Sequence, residues 1–392
     1  VVVNQLVSYF KSNIRQNGMV MALVAIMVLF QITTGGILFR PANVNNIVMQ
    51  NSYVLILATG MLLVILTGRI DLSVGSVVAF VGAVSAIMMV DWDVPVAVTI
   101  PAALVIGALI GAFHGYLIAY LKIPMFITTL GGMLIWRGLT MVILKGQTKA
   151  PFQDSFQAIA AGYLPGRDVR IGQFNTLALA FGIVLSAIFV FMLLRGRRSK
   201  IEYQFEVAPA WIEAIRLIFV VVAVNLLTLS LALHNGIPIV LLVLLGLIVF
   251  YTVLTQRTIF GRHIYALGGN AKAAKLSGVK TERVLFMVYM NNGLMAALAG
   301  LVVAGRLNAA TPKAGTMFEL DAIASCFIGG ASATGGVGTI IGAIVGGLVM
   351  GVLNNGMSIM GVSVDWQQAI KGVVLLLAVF FDVITKSKAE AT

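Results

Sequence analysis

The chain has 392 residues, 60% of them hydrophobic and only 10% charged, with 26 Lys and Arg against 14 Asp and Glu for a formal charge of +12. Mean hydropathy is +1.02, and since a soluble domain carries about 25% charged residues, the composition excludes an ordinary soluble protein and specifies a polytopic membrane one. The basic residues fall between apolar runs rather than in one patch, which is the positive-inside distribution and excludes a nucleic-acid partner as their explanation.

The chain opens at Val1 rather than Met. Its first apolar run, Met19–Leu38, is too long for a signal-peptide core and lacks a small-residue cleavage pattern, so it reads as a retained span. A spanning helix needs about 20 apolar residues. Further runs that meet or approach this length are Ile47–Thr67, Ser73–Val90, Val96–Tyr120, Met125–Leu144, Phe174–Leu194 and Trp211–Leu233. They continue with Ile237–Leu254, Val284–Ala304, Phe318–Ala331, Val337–Met360 and Trp366–Thr385. The expected fold is therefore an all-α helical bundle of about 10–12 spans with no β domain, a single transmembrane domain over residues 1–392. Ser73–Val90 and Phe318–Ala331 are the weakest runs and are candidates for broken or re-entrant helices, which membranes tolerate where protein or water surrounds the backbone. Cys326 is the one cysteine, which excludes an intrachain disulfide and a cysteine metal cluster; it reads as a small buried packing residue.

If every run crosses, Lys11, Arg15, Lys122, the cluster RGRRSK (195–200), the stretch 256–283 and Lys386 and Lys388 share one side. That side is expected to be the cytoplasm, with both termini on it. The opposite face receives Asp91–Asp93, His234–Pro238, Gly305–Lys313 and Lys145–Gln173, although Lys145, Lys149, Arg167 and Arg170 in the last loop run against the rule.

The stretch 256–283, QRTIFGRHIYALGGNAKAAKLSGVKTER, sets Arg257, Arg262, Lys272, Lys275, Lys280 and Arg283 against the single acid Glu282. Asn270 can cap a short helix through Lys272–Ser277, and Gly278 can end it in a left-handed conformation. Residues alone leave two readings open, a helix that touches a partner and an ordinary basic loop.

GALIGAFHG (107–115) and GTIIGAIVG (338–346) share spacing. Gly107, Gly111 and Gly115, like Gly338, Gly342 and Gly346, form small-xxx-small ladders that admit a neighbouring backbone. An acid precedes each ladder beside a weak span, Asp71 and Asp321 respectively. The first ladder would run inward and the second outward, which predicts an inverted internal repeat of the kind found in transporters; similarity of composition among Gly-rich spans is the alternative.

The sequence carries no recognisable catalytic motif. There is no P-loop, His114, His234 and His263 lack metal-ligand spacing, and Gly336-Val-Gly338 lacks the strand and third glycine of a dinucleotide turn. No metal or cofactor is expected. Polar groups within apolar runs carry more information, because lipid makes them expensive. Arg69 and Asp71 can pair at a turn. Arg137 is the deepest formal charge and can face a pathway or a carboxylate such as Glu319 or Asp321. The amide pairs Asn291–Asn292 and Asn354–Asn355 suit sugar hydroxyls and equally serve as interhelical glue. Trp92, Trp136, Trp211 and Trp366 fall mostly near span ends, where an aromatic belt explains them. Intramembrane carboxylates are few and near span ends, so the spans offer little to drive ion coupling.

Three segments taken together, TGRIDLSVGSVVAFVGAVSA (67–86), GRHIYALGGNAKAAKLSGV (261–279) and ELDAIASCFIGGASATGGVGTIIGA (319–343), resemble the permease subunit of bacterial monosaccharide ABC importers of the ribose/xylose type, within the branched-chain permease superfamily. The resemblance runs from about residue 43 to 385, and additional hydrophobic material over 195–254 places the chain nearer the xylose and multiple-monosaccharide branch. The resemblance implies an inner-membrane homodimer, a separate cytoplasmic ABC ATPase, and an extracytoplasmic sugar-binding protein facing Gly305–Phe318 and Lys145–Gln173. It also implies that 256–283 is a coupling loop, in which Asn270, Lys272, Ala273, Ala274, Ser277 and Gly278 form the helix that enters the ATPase. Ala273, Ala274 and Gly278 match the family's short helix. Lys272 stands where a Glu is common, so the facing ATPase surface should be more acidic. Asn291, Asn292, Asn354, Asn355 and Arg137 are the expected pathway residues. Arg69, Asp71, Asp321 and the two glycine ladders are expected to be structural. A self-sufficient secondary transporter or channel, working without an ATPase, is the alternative function; a membrane scaffold is disfavoured by the ladders and buried amides.

Overall fold

The structure is a computed structural model that describes residues 14–390 apart from 166–168, 206 and 208, and the side chains of 14–17 and 381–390 are likewise not described. Lys11 and Arg167, and the side chains of Arg15, Lys386 and Lys388, thus lie outside the described residues.

The helices, in chain order, are α1 (Ile14–Thr33), α2 (Pro41–Leu66), α3 (Val74–Ala86, continued by a π turn over Ile87–Asp91), α4 (Val96–Ala119), α5 (Met125–Leu144) and α6 (Asp154–Ala161). A hairpin of two-residue strands, β1 (Arg170–Ile171) and β2 (Phe174–Asn175), precedes α7 (Thr176–Glu202), α8 (Ala210–Leu233) and α9 (Ile239–Arg257). Then come α10 (Ile259–Gly269), α11 (Ala271–Leu276), α12 (Thr281–Leu307), α13 (Phe318–Ile328), α14 (Ile340–Ile359) and α15 (Val364–Glu390). Among the described residues nine helices are long and apolar enough to cross a membrane. The protein is an all-α polytopic bundle, as the apolar runs require.

Small residues decide which helices form the centre. Along α4, a methyl group on Gly107, Gly111 or Gly115 would overlap atoms of Ala297, Gly293, Tyr289 or Phe286 on α12. The two backbones therefore meet without side chains between them. On α14, Gly342 and Gly346 meet Gly329 and Ser325, at the end of α13, in the same way. Gly338 departs from the predicted ladder. It precedes the helix with φ +154, because Thr339 caps α14 by accepting from the Gly342 amide at 3.0 Å.

The central frame is two triplets, α2-α3-α4 and α12-α13-α14. The long helix of each packs against the other two members of the opposite triplet, and α2 also packs on α12. The two weak spans differ: α3 with its π turn, Val74–Asp91, is long and apolar enough to cross, whereas α13 is short. α13 has 11 residues, which at 1.5 Å per residue covers about half of a 30 Å hydrocarbon core. In α3, Val78 lies against Gly300 and Gly82 beside Ala304, so Gly75, one turn earlier, stands level with the middle of α12. There it meets Gly315, just before α13, so closely that neither position has room for a Cβ. The two short helices begin head to head at the centre and run apart. Non-helical segments 67–73 and 308–317 lead to them.

Outside this frame, α7 packs mainly on α8, through Asn225 donating to Ser186 at 2.8 Å and Arg197 paired with Glu213. The segments placed on one face by sequence touch one another. Lys149 pairs with Asp91 and bridges Ala310, Tyr163 bridges Pro238, and Arg170 donates to the His234 carbonyl at 3.0 Å.

Gly111→Leu should destabilise the bundle by about 1–3 kcal/mol or more, the usual cost of forcing a side chain into a filled interface. A melting curve in detergent should show the drop, whereas Gly131→Leu, at a position with nothing within 4 Å, should leave the midpoint near wild type.

Candidate functional site

The segment Ile70–Ser73 turns into α3 because Asp71 folds back on its own chain. Its Oδ1 accepts from the Ser73 amide at 2.8 Å and the Ser73 hydroxyl at 2.6 Å, an Asx-type turn. Its Oδ2 accepts from Asn292 Nδ2 at 2.9 Å. Ser73 Oγ lies 3.2 Å from His114 Nδ1, and Trp136 Nε1 donates to His114 Nε2 at 3.2 Å. Since the serine proton is committed to Asp71 and His114 Nε2 is an acceptor, the bonding pattern requires a neutral imidazole with its proton on Nδ1. The chain Trp136–His114–Ser73–Asp71–Asn292 therefore ties α5, α4, the 67–73 segment and α12 into one directional network. Gly132 leaves space for the His114 ring.

Glu319 reaches the same centre from α13. It is buried against Gly75, and its Oε2 has no hydrogen-bond partner among the described residues. Asp321 accepts from Lys371 of α15 at 2.9 Å.

These contacts revise several expectations. Arg69 and Asp71 do not pair: Arg69 donates to the Thr67 carbonyl at 3.0 Å, while both Asp71 oxygens are spent elsewhere. Arg137 donates to the Ala314 carbonyl, ahead of α13, and lies near enough to Glu319 for their charges to interact, while the carboxylate of Asp321 is held by Lys371. Trp136 is a network member rather than part of an aromatic belt, because His114 offers its indole an acceptor. The carboxylates expected near span ends stand at the bundle centre, because α3 and α13 begin there.

The four asparagines separate. Asn291 accepts from the Tyr251 hydroxyl, Asn292 binds Asp71, and Asn355 exchanges two amide bonds with Asn43 at 2.9 and 3.0 Å. Each of these crosses between helices. Asn354 alone of the four has no hydrogen bond within the described protein. It lines a cavity of about 160 Å³ between α2, α12 and α14, together with Gln50, Asn51, Tyr53, Arg306 and Asn355, over Gly351. Sequence reasoning passed over Ser73, His114, Tyr53 and Arg306. A histidine inside an apolar glycine ladder was a usable signal for one of them.

At the end of the bundle where Leu66 and Gly336 meet through a 2.9 Å hydrogen bond, the 256–283 stretch folds into two helices rather than one. Thr258 caps α10 by accepting from Gly261 at 3.1 Å. Asn270 caps α11 by accepting from Ala273 at 2.9 Å, and Gly278 follows at φ +87. Ala274 faces inward, while Lys272, Ala273, Ser277 and Gly278 are exposed and Leu276 is 90% exposed. Lys275 pairs with Glu282 at 2.7 Å. A cavity of about 340 Å³, lined in part by Arg69, Lys122, Ala271 and Glu282, lies beside this loop. α10 is packed into the frame: Gly268 lies against the Leu66 carbonyl and Gly336, and Tyr265 donates to the Gly338 carbonyl at 2.7 Å. Burial there raises the Tyr265 pKa above the ordinary phenol value.

Asp71→Ala strands the Ser73 amide and the Asn292 amide group. Each buried orphan costs about 1–3 kcal/mol, so the variant should melt well below wild type; an unchanged midpoint would show that the network carries no stability.

The family model described as the branched-chain amino acid transport system / permease component matches residues 43–379. The chain is 42% identical to the xylose transport system permease protein of Escherichia coli K12 over 376 residues, covering 95% of this chain and 92% of that one. It is 39% identical to the xylose transport system permease protein of Haemophilus influenzae, over 94% of this chain and 96% of that one. The ribose import permease protein of Escherichia coli K12 is 37% identical, over 92% of each chain. No solved structure matches. The chain belongs to the branched-chain amino acid transport system permease family, and is a membrane transport subunit rather than an enzyme.

Proposed function

We propose that this chain is the membrane-spanning permease subunit of an ABC importer that moves a monosaccharide, xylose or a related pentose or hexose, into the cytoplasm. The xylose and ribose permeases it resembles support the substrate class. A separate ATPase supplies the energy, and an extracytoplasmic binding protein delivers the sugar at the loops around Lys149 and Ala310. Two copies form a homodimer in the inner membrane with both termini in the cytoplasm. Residues 195–254 are the branch-specific addition, and the two triplets of the frame are halves of an inverted repeat.

The observation that carries the mechanism is α11. A capped helix of six residues that leaves Leu276 90% exposed has an apolar side chain available to a partner. Lys272 beside it suits an acidic ATPase surface. α11 is joined without a gap to α10, whose Gly268 and Tyr265 touch the end of α2 and the turn before α14. Force applied at 256–283 thereby has a contact route to both triplets, the physical requirement for coupling between distant sites.

One observation favours the second reading, an ion-coupled carrier. Glu319 and Asp71 are carboxylates at the centre of the bundle, where coupling ions act in secondary transporters. The committed hydrogen bonds of Asp71 and the exposed α11 favour the importer, although Glu319 Oε2 has no partner among the described residues.

Leu276→Glu and Gly278→Val test the docking. Burying a Leu is worth about 1.5–3 kcal/mol and about 1.4 kcal/mol is tenfold in affinity, so Leu276→Glu should weaken ATPase copurification about tenfold or more. Gly278→Val places a β-branched residue at positive φ and should uncouple uptake. Both should insert normally. Full uptake by both variants at normal expression is the outcome that sinks the docking role.

A further inference from the structure

We propose that the cavity between α2, α12 and α14 is a solute subsite inside the permease itself, which holds a neutral polyhydroxylated molecule through Arg306, Gln50 and Asn354. The inference rests on the importer reading and adds to it a place where the permease, rather than its binding protein, recognises the solute.

The walls of the cavity fall into two kinds. One is fixed by the protein: Asn51 donates to the Gly347 carbonyl at 2.7 Å, Asn355 is locked to Asn43, and the Tyr53 ring stacks on Phe318 with centroids 3.9 Å apart. The other kind is free. Arg306, half-buried at the end of α12, has no hydrogen bond or ion pair among the described residues; neither has Gln50, and Asn354 Oδ1 is buried without a partner. Three polar side chains from three helices thus converge on one space with unspent bonding capacity. For the buried Asn354 oxygen an empty site costs free energy; Gln50, which is exposed, and the half-buried Arg306 add bonding capacity beside it.

The chemistry of the free groups selects the ligand. A guanidinium offers only donors, whereas each amide offers a donor pair and an acceptor. A hydroxyl, which donates and accepts, satisfies both; adjacent hydroxyls can accept from Arg306 while another donates to the orphan Asn354 oxygen. A carboxylate would satisfy Arg306 but has no proton for Asn354. The space suits a small solute, well below the size of pockets for drug-like ligands. Gly351 keeps it open, since a Cβ there would strike the Asn51 amide.

The test uses the reconstituted complex of permease, ATPase and binding protein in proteoliposomes, with D-xylose and its C1 acid, xylonate, as probes. Asn354→Leu preserves side-chain volume and Arg306→Gln removes the charge. Each should lower D-xylose transport about tenfold, the worth of roughly one hydrogen bond, with melting midpoints and ATPase copurification unchanged. Asn354→Gln, which keeps the amide, should recover part of the loss. Unaltered D-xylose transport in both folded variants would overturn the subsite while leaving the importer reading intact. Preference of the wild type for xylonate, lost in Arg306→Gln, would overturn the neutral-ligand assignment. If the wild-type complex moves neither these probes nor D-ribose nor any other pentose or hexose, the importer reading falls and the subsite with it.

Discussion

Between Gly75 and Gly315 there is no room for a side chain on either residue. That contact holds the starts of α3 and α13 together at the middle of the bundle, and much else follows from it. Helix N-termini carry partial positive charge, and carboxylates gather where these two meet: Asp71 ahead of α3, Glu319 and Asp321 in the first turn of α13. Non-helical backbone at this depth survives only inside protein. The buried lengths of α2 and α12 on either side provide that surround.

The same economy of side chains governs the rest of the frame. α4 lies on α12 and α14 on α13 through glycine, so small residues replace the apolar filling that a soluble core would use. Association within a membrane cannot draw on the hydrophobic effect between helices and relies on close packing and interhelical hydrogen bonds instead. Asn355 with Asn43, Asn291 with Tyr251 and Asn292 with Asp71 supply the latter. At one end of this frame, α10 fills the corner between Leu66 and Gly336, and α11 projects beyond it. An exposed helix, α11, is thus joined through α10 to the end of α2 and the turn before α14.

Features governed by local rules were legible in the sequence. The Asn270 cap and the Gly278 turn follow from capping preferences over a few residues, and the short α13 announced itself as a weak apolar run. The glycines at 107, 111 and 115 declared a backbone contact, though not which helix they would meet. What stayed hidden depends on neighbours remote in sequence. Arg69 and Asp71 looked like a pair because they are two apart; the turn at Asp71 instead brings Ser73 and Asn292 to its carboxylate. Arg137 had two candidate carboxylates; it bonds a carbonyl and lies near one of them, Glu319. Arg306 carries no signal in the sequence, and only the approach of α2 and α14 makes it part of a cavity. Four asparagines of one composition divide into three that tie helices together and one, Asn354, that remains free.

The central claim is that force enters this chain from an ATPase through α11 rather than from an ion gradient through its buried carboxylates. Purified permease in liposomes decides it directly, with labelled xylose supplied outside and ATP within. Sugar should accumulate only when the ATPase and the binding protein are both added, irrespective of imposed proton or sodium gradients. Gradient-driven accumulation by the permease alone would contradict the account.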